Sequence, residues 1–318
     1  MNSAFRSGGD PPPGLLYKFR RFSPHLISEL CNSQTYFSSP DNFNDPLDSK
    51  PAFVSDLHRS ELEELLGVLL EESDGVDSLQ GVIASCRYNA TYDETDHERM
   101  EAVYVNLLAG RVTSLLRNWI GSHGVLSLAS RWDCALMWSH YADQHAGVCL
   151  EYSTRDHVLS NLMPVDYERP RSIRLRDVFD WKVRRDSGAR RRIIEIAFLT
   201  KAPAWSYEQE WRSVSRRPGV APLRFDLVGI YFGQRCSQSV RTAIVKMMHD
   251  ATPGVVLYDV SFCENTFDLR RSMVDVQEIL QVGLRRSAAL AFGRLPLGPG
   301  LGSQRKDFEP EDEFPRIT

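Results

Sequence analysis

The chain has 318 residues, 42% of them hydrophobic and 25% charged, enough for one substantial core. Its formal net charge of -4 argues against a general nucleic-acid coat or a protein that lives on anionic lipid, and leaves room for a local basic patch. The six cysteines never form a C-x-x-C pair, which removes zinc-ribbon and thioredoxin-type readings and leaves reduced, buried thiols.

In chain order, residues 1–13 combine Gly, Ser and a Pro-Pro-Pro run and read as a disordered leader. Residues 15–19 predict a short strand, 23–31 a helix with Ser23 as N-cap and Pro24 at its first position, and 34–38 a second strand. The turn-rich SSPDNFNDPLD follows as an ordered loop. DLHRSELEELLGVLLEE and HERMEAVYVNLLAGRVTSLLRNWI then repeat apolar residues every three or four positions, predicting a helical insertion at about 55–120. Beyond Gly121 the segments GVLSLAS, HAGVCLEYS, IAFLTKAPAW, EWRSVS, VGIYFG and VVLYDVSF predict about five to seven strands of one sheet. SVRTAIVKMMHD predicts a crossover helix between the last two. This order implies an α+β fold: a single mixed domain over residues 14–294, then a disordered tail at 295–318. No window approaches the roughly 20 apolar residues of a membrane span, so a cytoplasmic protein with no membrane partner is expected.

Three separated segments, residues 17–48, 138–152 and 201–212, carry the candidate site. In YEQEWR, an extended strand would place Glu208, Glu210 and Arg212 on one face and Tyr207, Gln209 and Trp211 on the other. Two carboxylates beside a guanidinium suit acid–base work, and they equally fit a solvated edge strand with one weak salt bridge. LMWSHYADQHAGVCLEY groups Trp138, His140, Tyr141 and His145, which offer stacking surface and donors to a planar ligand; plain core packing fits the same rings. The His-x4-His spacing invites a metal, yet the Glu of H-E-x-x-H and a third ligand are missing, so no metal is expected. Asn44 and Asp45, before Pro46, can hold a turn or shape the rim of a pocket. The basic stretch 169–192 is either a phosphate or nucleic-acid contact or a solvated face interleaved with Asp. P-loop, dinucleotide-fold and G-x-S-x-G fingerprints are absent from the sequence.

Taken in order, LLYKFRRF with TYFSSPDNFNDPLD, then SLASRWDCALMWSHYADQHAGVCLEYS, then KAPAWSYEQEWRSV with VGIYFGQRC resemble the uncharacterised bacterial family DUF2971 over about residues 15–233. In layout that family is similar to AbiGi-type abortive-infection proteins and, more distantly, to the ADP-ribosyltransferase superfamily, whose core is a split sheet cradling NAD. The resemblance implies a split, mostly antiparallel, ADP-ribosyltransferase-like sheet with NAD as substrate. It implies Glu210 as the catalytic glutamate and Glu208 as a second carboxylate acting on the acceptor. Lys18 or Arg20 would meet the phosphates, and Trp138, Ser139, His140 and Tyr141 would brace the nicotinamide ribose. Tyr17, Asn44, Asp45, His145, Tyr207 and Arg212 complete the implied NAD-binding set. The implied function is a bacterial toxin or phage-defence effector that modifies nucleic acid or protein, working with a defence-system partner. The alternatives are a non-catalytic ligand- or phage-sensing binding module, and a metal-dependent nuclease using Asp45, Asp48, His140 and His145.

Overall fold

The computed structural model describes residues 11–282 except 74, 76, 92–95, 156–161 and 253. Nearly all of the expected leader, the tail and the domain beyond 282 lie outside the described residues.

Strand β1 (Leu15–Arg20) leads to helix α1 (Pro24–Asn32), where the Ser23 hydroxyl accepts from the Leu26 N–H as the capping pattern requires. Then come β2 (Gln34–Phe37), a tight turn at Pro40–Asn42 and β3 (Ala52–Val54). Helices α2 (Arg59–Glu71), α3 (Leu79–Thr91) and α4 (His97–Gly121) fill the predicted helical insertion. Leu62, Leu65, Leu66 and Leu69 of α2 join Tyr104, Leu108, Val112 and Leu116 of α4 in one apolar cluster, the stripe the periodicity called for. Next are β4 (Gly124–Ala129), α5 (Ala135–Tyr141), β5 (Val148–Ser153), β6 (Leu162–Pro164) and β7 (Ser172–Arg174).

Helices α6 (Leu175–Lys182) and α7 (Ser187–Phe198) follow, and α7 corrects the strand expected at IAFLTKAPAW. Ile193, Ile194, Ala197 and Phe198 recur at helical spacing and bury in the cluster of α2 and α4, so an apolar run too short to decide by pattern is decided by its packing. The chain closes with β8 (Glu210–Ser215), β9 (Gly219–Pro222), β10 (Asp226–Phe232), α8 (Gln238–Ala251), β11 (Val256–Phe262), β12 (Leu269–Met273) and α9 (Val276–Val282).

Among the described residues the main sheet has eight strands, ordered β12-β11-β10-β5-β1-β4-β8-β6. Short β6 and β12 take it past the expected size. Neighbours are antiparallel except β10 and β11, which run parallel and are joined by α8, as a crossover helix must. The fold is thus α+β with a large, mostly antiparallel sheet. Strand β1 pairs with β5 at six positions and β4 with β8 at six, but β1 and β4 meet only at Tyr17 and Ala129. Along the rest of their length the sheet is open.

The basic stretch resolves into ion pairs. Arg174 meets Asp56 at 2.8 Å, Arg176 grips Glu61 at 2.5 and 2.7 Å, Lys182 pairs with Glu72, and Arg192 meets Asp177 at 2.8 Å. It is a charged face matched to the helical insertion. All six cysteines are free; Cys86, Cys134, Cys149 and Cys236 are buried as expected, whereas Cys31 is exposed.

Gly233 lets two loops touch: a Cβ there would sit 2.2 Å from the His145 carbonyl oxygen. Gly233→Ala is therefore expected to destabilise by about 2–3 kcal/mol through forced backbone movement. Gly110→Ala, on exposed α4 surface with nothing within 4 Å, should stabilise by roughly 0.5–1 kcal/mol. Urea denaturation midpoints of the two variants check both signs.

Candidate functional site

Strand β8 begins only at Glu210. Residues Pro203–Glu208 form a 3-10 turn and Gln209 adopts left-handed backbone at φ 45°, so Glu208 does not lie on an extended strand face as expected. The turn nevertheless swings Glu208 back beside Glu210, with Lys201 between them. The Lys201 ammonium donates to Glu208 and, at 3.1 Å, to Glu210, and lies 3.6 Å from Asp48.

Arg212, 1% exposed, completes the cluster. Its Nε and Nη2 donate to the two Glu210 oxygens at 2.8 and 2.9 Å, its Nη1 and Nη2 to those of Asp48 at 2.9 and 2.6 Å, and Nη1 also to the Phe198 carbonyl at 2.8 Å. Taking such ions out of water costs several kcal/mol each, and only this density of charge-assisted bonds offsets it. On the outer side, the Tyr141 hydroxyl donates to Glu208 at 2.8 Å and accepts from the Asn44 amide at 3.2 Å. Across the opening of the sheet, the buried Lys18 ammonium donates to the Ser127 carbonyl at 3.2 Å and so links β1 to β4.

These contacts set the protonation states. Burial alone would raise Glu210, but Arg212 and Lys201 outweigh it and hold the carboxyl down at about 2. Glu208 is raised, because burial exceeds the pull of Lys201. Lys201 is raised: burial opposes this, and Glu210 and Glu208 overcome it. Lys18 is lowered to about 7 by burial and then by Arg20, with Glu29 and Glu210 offsetting only part.

The cluster floors a cavity of about 270 Å³ where β1 and β4 part. Of the residues singled out in the sequence, Tyr17, Lys18, Arg20, Asn44, Tyr141, Glu208, Glu210 and Arg212 line it. A second pocket of about 570 Å³ shares Phe19, Arg20 and Tyr141 with it and reaches His140, α1 and β2.

Other expected residues lie elsewhere. Trp138 is fully buried, edge-on to Phe19 at 5.3 Å, with its indole N–H donating to the Trp132 carbonyl at 2.7 Å; it sits in the core. Asp45 turns back to accept from the Leu47 N–H at 2.9 Å. Tyr207 is half-buried beside Trp205. His145 stacks behind Trp138 with ring centroids 6.2 Å apart. Helix α5 stops at Tyr141, and Asp143, Gln144 and His145 all take positive φ, so His140 and His145 share no helical face. Among the described residues no group of three or more His, Cys, Asp and Glu is placed to hold a metal ion.

Asp48, expected only for the nuclease alternative, and Lys201 also line the cavity and were not among the residues expected to bind NAD. A lysine inside the apolar run IAFLTKAPAW was the available signal: a charge embedded there needs buried partners.

Arg212→Met should cost about 3–5 kcal/mol, since Asp48 and Glu210 would be left buried and short of partners; guanidinium denaturation measures it. Lys18 offers a pH test. Its folded value of about 7 lies below the 10.5 of a free lysine, so between those values the unfolded chain binds more protons and stability rises with pH. That rise should flatten in Lys18→Met, read from denaturation midpoints at pH 7 to 10.

Residues 137–213 match the model of a family described as Protein of unknown function (DUF2971). No curated protein and no solved structure matches the chain. Among the described residues no helix is long and apolar enough to cross a membrane. The matched span runs from α5 into β8 and contains Tyr141, Lys201, Glu208, Glu210 and Arg212; over it, the chain is similar to the DUF2971 family.

Proposed function

We propose that the chain is an ADP-ribosyltransferase-like enzyme that consumes NAD, cleaving the bond between nicotinamide and ribose and passing ADP-ribose to an acceptor. The observation that carries this reading is the cluster at the opening of the sheet. There three carboxylates, Asp48, Glu208 and Glu210, stand against two cations, Lys201 and Arg212. With all five ionised, one negative charge remains in excess.

Rupture of a glycosidic bond builds positive charge on the ribose, which a fixed carboxylate in a water-poor site stabilises. Glu210, held at about 2, is ionised throughout the physiological range, and Arg212 locks its orientation. Glu208, raised by burial, is the better proton acceptor for the incoming nucleophile. On β1, Lys18 in its protonated form and the Glu29-paired Arg20 line the cavity where the phosphates would sit, and the Tyr141 ring lies beside Glu208 to pack a planar group. The opening between β1 and β4 accords with a split sheet. In a cell such an activity would act as a toxin or defence effector by depleting NAD or marking an essential acceptor.

Purified chain incubated with NAD is expected to release nicotinamide, measured by chromatography with and without total nucleic acid and protein as acceptors. Glu210→Gln should slow release about 10²–10³-fold. Glu208→Gln should depress transfer to acceptor by about 10²-fold. A wild-type chain that neither binds NAD in calorimetry nor releases nicotinamide overturns the reading.

One observation favours a second reading. Both Glu210 oxygens are filled by Arg212 and Lys201, an arrangement a non-catalytic binding module would also keep. NAD binding without turnover, unaltered in Glu210→Gln, is the signature of that alternative.

A further inference from the structure

The second pocket is bordered by a small antiparallel ribbon. Strand β2 pairs with β9, and Tyr36 stands directly opposite Val220. Both side chains are exposed, at 44% and 65%, and both line the pocket. An aromatic ring and a β-branched neighbour held in solvent on a rigid ribbon form a flat apolar platform beside a cavity of about 570 Å³.

The arginines around that platform lack the carboxylate partners found along much of the basic stretch. Arginines of the basic stretch 169–192, such as Arg174, Arg176 and Arg192, are matched to carboxylates. By contrast Arg21 lines the pocket, Arg216 and Arg217 precede β9, and Arg224 follows it; all four are exposed and, among the described residues, none is ion-paired. Among the described residues that line the pocket, the one carboxylate is Glu29, and Arg20 already grips it at 2.9 and 3.1 Å. His25 and His140, both exposed, complete the lining on this side. In a chain of net charge -4, this region concentrates unmatched positive charge next to an aromatic platform.

We propose that the ribbon β2–β9 and the second pocket bind single-stranded nucleic acid, with phosphates on the unpaired arginines and a base stacked on Tyr36. Unmatched guanidinium groups suit a chain of phosphodiesters, and an exposed aromatic face accepts any base. A duplex fits less well, because a base must leave its stack before it can enter the pocket. The pocket adjoins the charged cavity through Phe19, Arg20 and Tyr141, so a strand held here lies next to Glu208. Its role as the acceptor of ADP-ribose rests on the NAD reading; its binding does not.

The test uses the full chain without NAD and follows the fluorescence anisotropy of an end-labelled single-stranded RNA of about 12 nucleotides, its DNA counterpart and the matching duplex. Saturable binding is expected for a single strand, weaker for the duplex. Its logarithm should fall with the logarithm of salt concentration by about 0.7 per phosphate contact. The double variant Arg216→Glu with Arg217→Glu should weaken it at least roughly 10-fold, and Tyr36→Ala about 5-fold or more. Unchanged melting temperatures would show that both variants fold. Absence of single-strand binding, binding indifferent to these substitutions, or capture of an acidic peptide in place of the oligonucleotide would each overturn the inference. Because NAD is absent throughout, failure of the NAD reading leaves this measurement standing. Conversely, a chain that releases nicotinamide yet ignores the oligonucleotide overturns only the present inference.

Discussion

The Arg212 guanidinium, removed from water, ties together three parts of the chain that lie far apart in sequence or in structure type. Through Asp48 it holds the loop after β2, through the Phe198 carbonyl it holds the end of α7, and through Glu210 it fixes the start of β8. The Phe43 ring packs over its plane at 5.5 Å. A buried guanidinium tolerates few arrangements: each N–H needs an acceptor and the charge needs compensation, so its partners must arrive at defined positions. Lys201 meets the same demand a few ångströms away and recruits Glu208. The floor of the cavity is therefore a consequence of charge satisfaction in a dry place; the same dryness raises Glu208 and lowers Lys18, while Arg212 and Lys201 hold Glu210 down against it.

The cavity above that floor exists because the sheet does not close. β1 is fully paired to β5 on one side and touches β4 at one position on the other, leaving the Lys18 side chain to bridge the remainder to Ser127. The loop from Asp143 to His145 supports the edge of this region under strain, with three consecutive residues in left-handed backbone that only surrounding contacts can maintain. Close passage of Gly147 and Gly233 provides those contacts, through Gly233 N–H to the Gly147 carbonyl at 3.0 Å and Arg235 N–H to the His145 carbonyl at 2.9 Å.

Much of the site was legible in the chain because it depends on residue types that rarely sit where they do. Two glutamates and an arginine around a tryptophan, and a tyrosine near histidines before a glycine, are unusual neighbours for apolar strands, and Glu208, Glu210, Arg212 and Tyr141 do line the cavity. The aromatic and imidazole residues beside them were less legible. Trp138 and Tyr141 are three positions apart on one short helix, yet one is core and the other faces the cavity. Pattern alone assigns them no side.

Local composition and periodicity by themselves determined the α+β class, the helical insertion, the Ser23 cap and the crossover helix between β10 and β11, because capping, turn chemistry and hydrophobic period act over a few neighbouring residues. Tertiary structure alone decided that α7 runs on through Phe198, that Glu208 reaches its place by a 3-10 turn, that Asp48 and Lys201 join the cluster, and that β1 and β4 part. Each of those outcomes depends on burial against groups far away in the chain, and the free energy of a buried charge or an apolar face is defined only once its partners are in place.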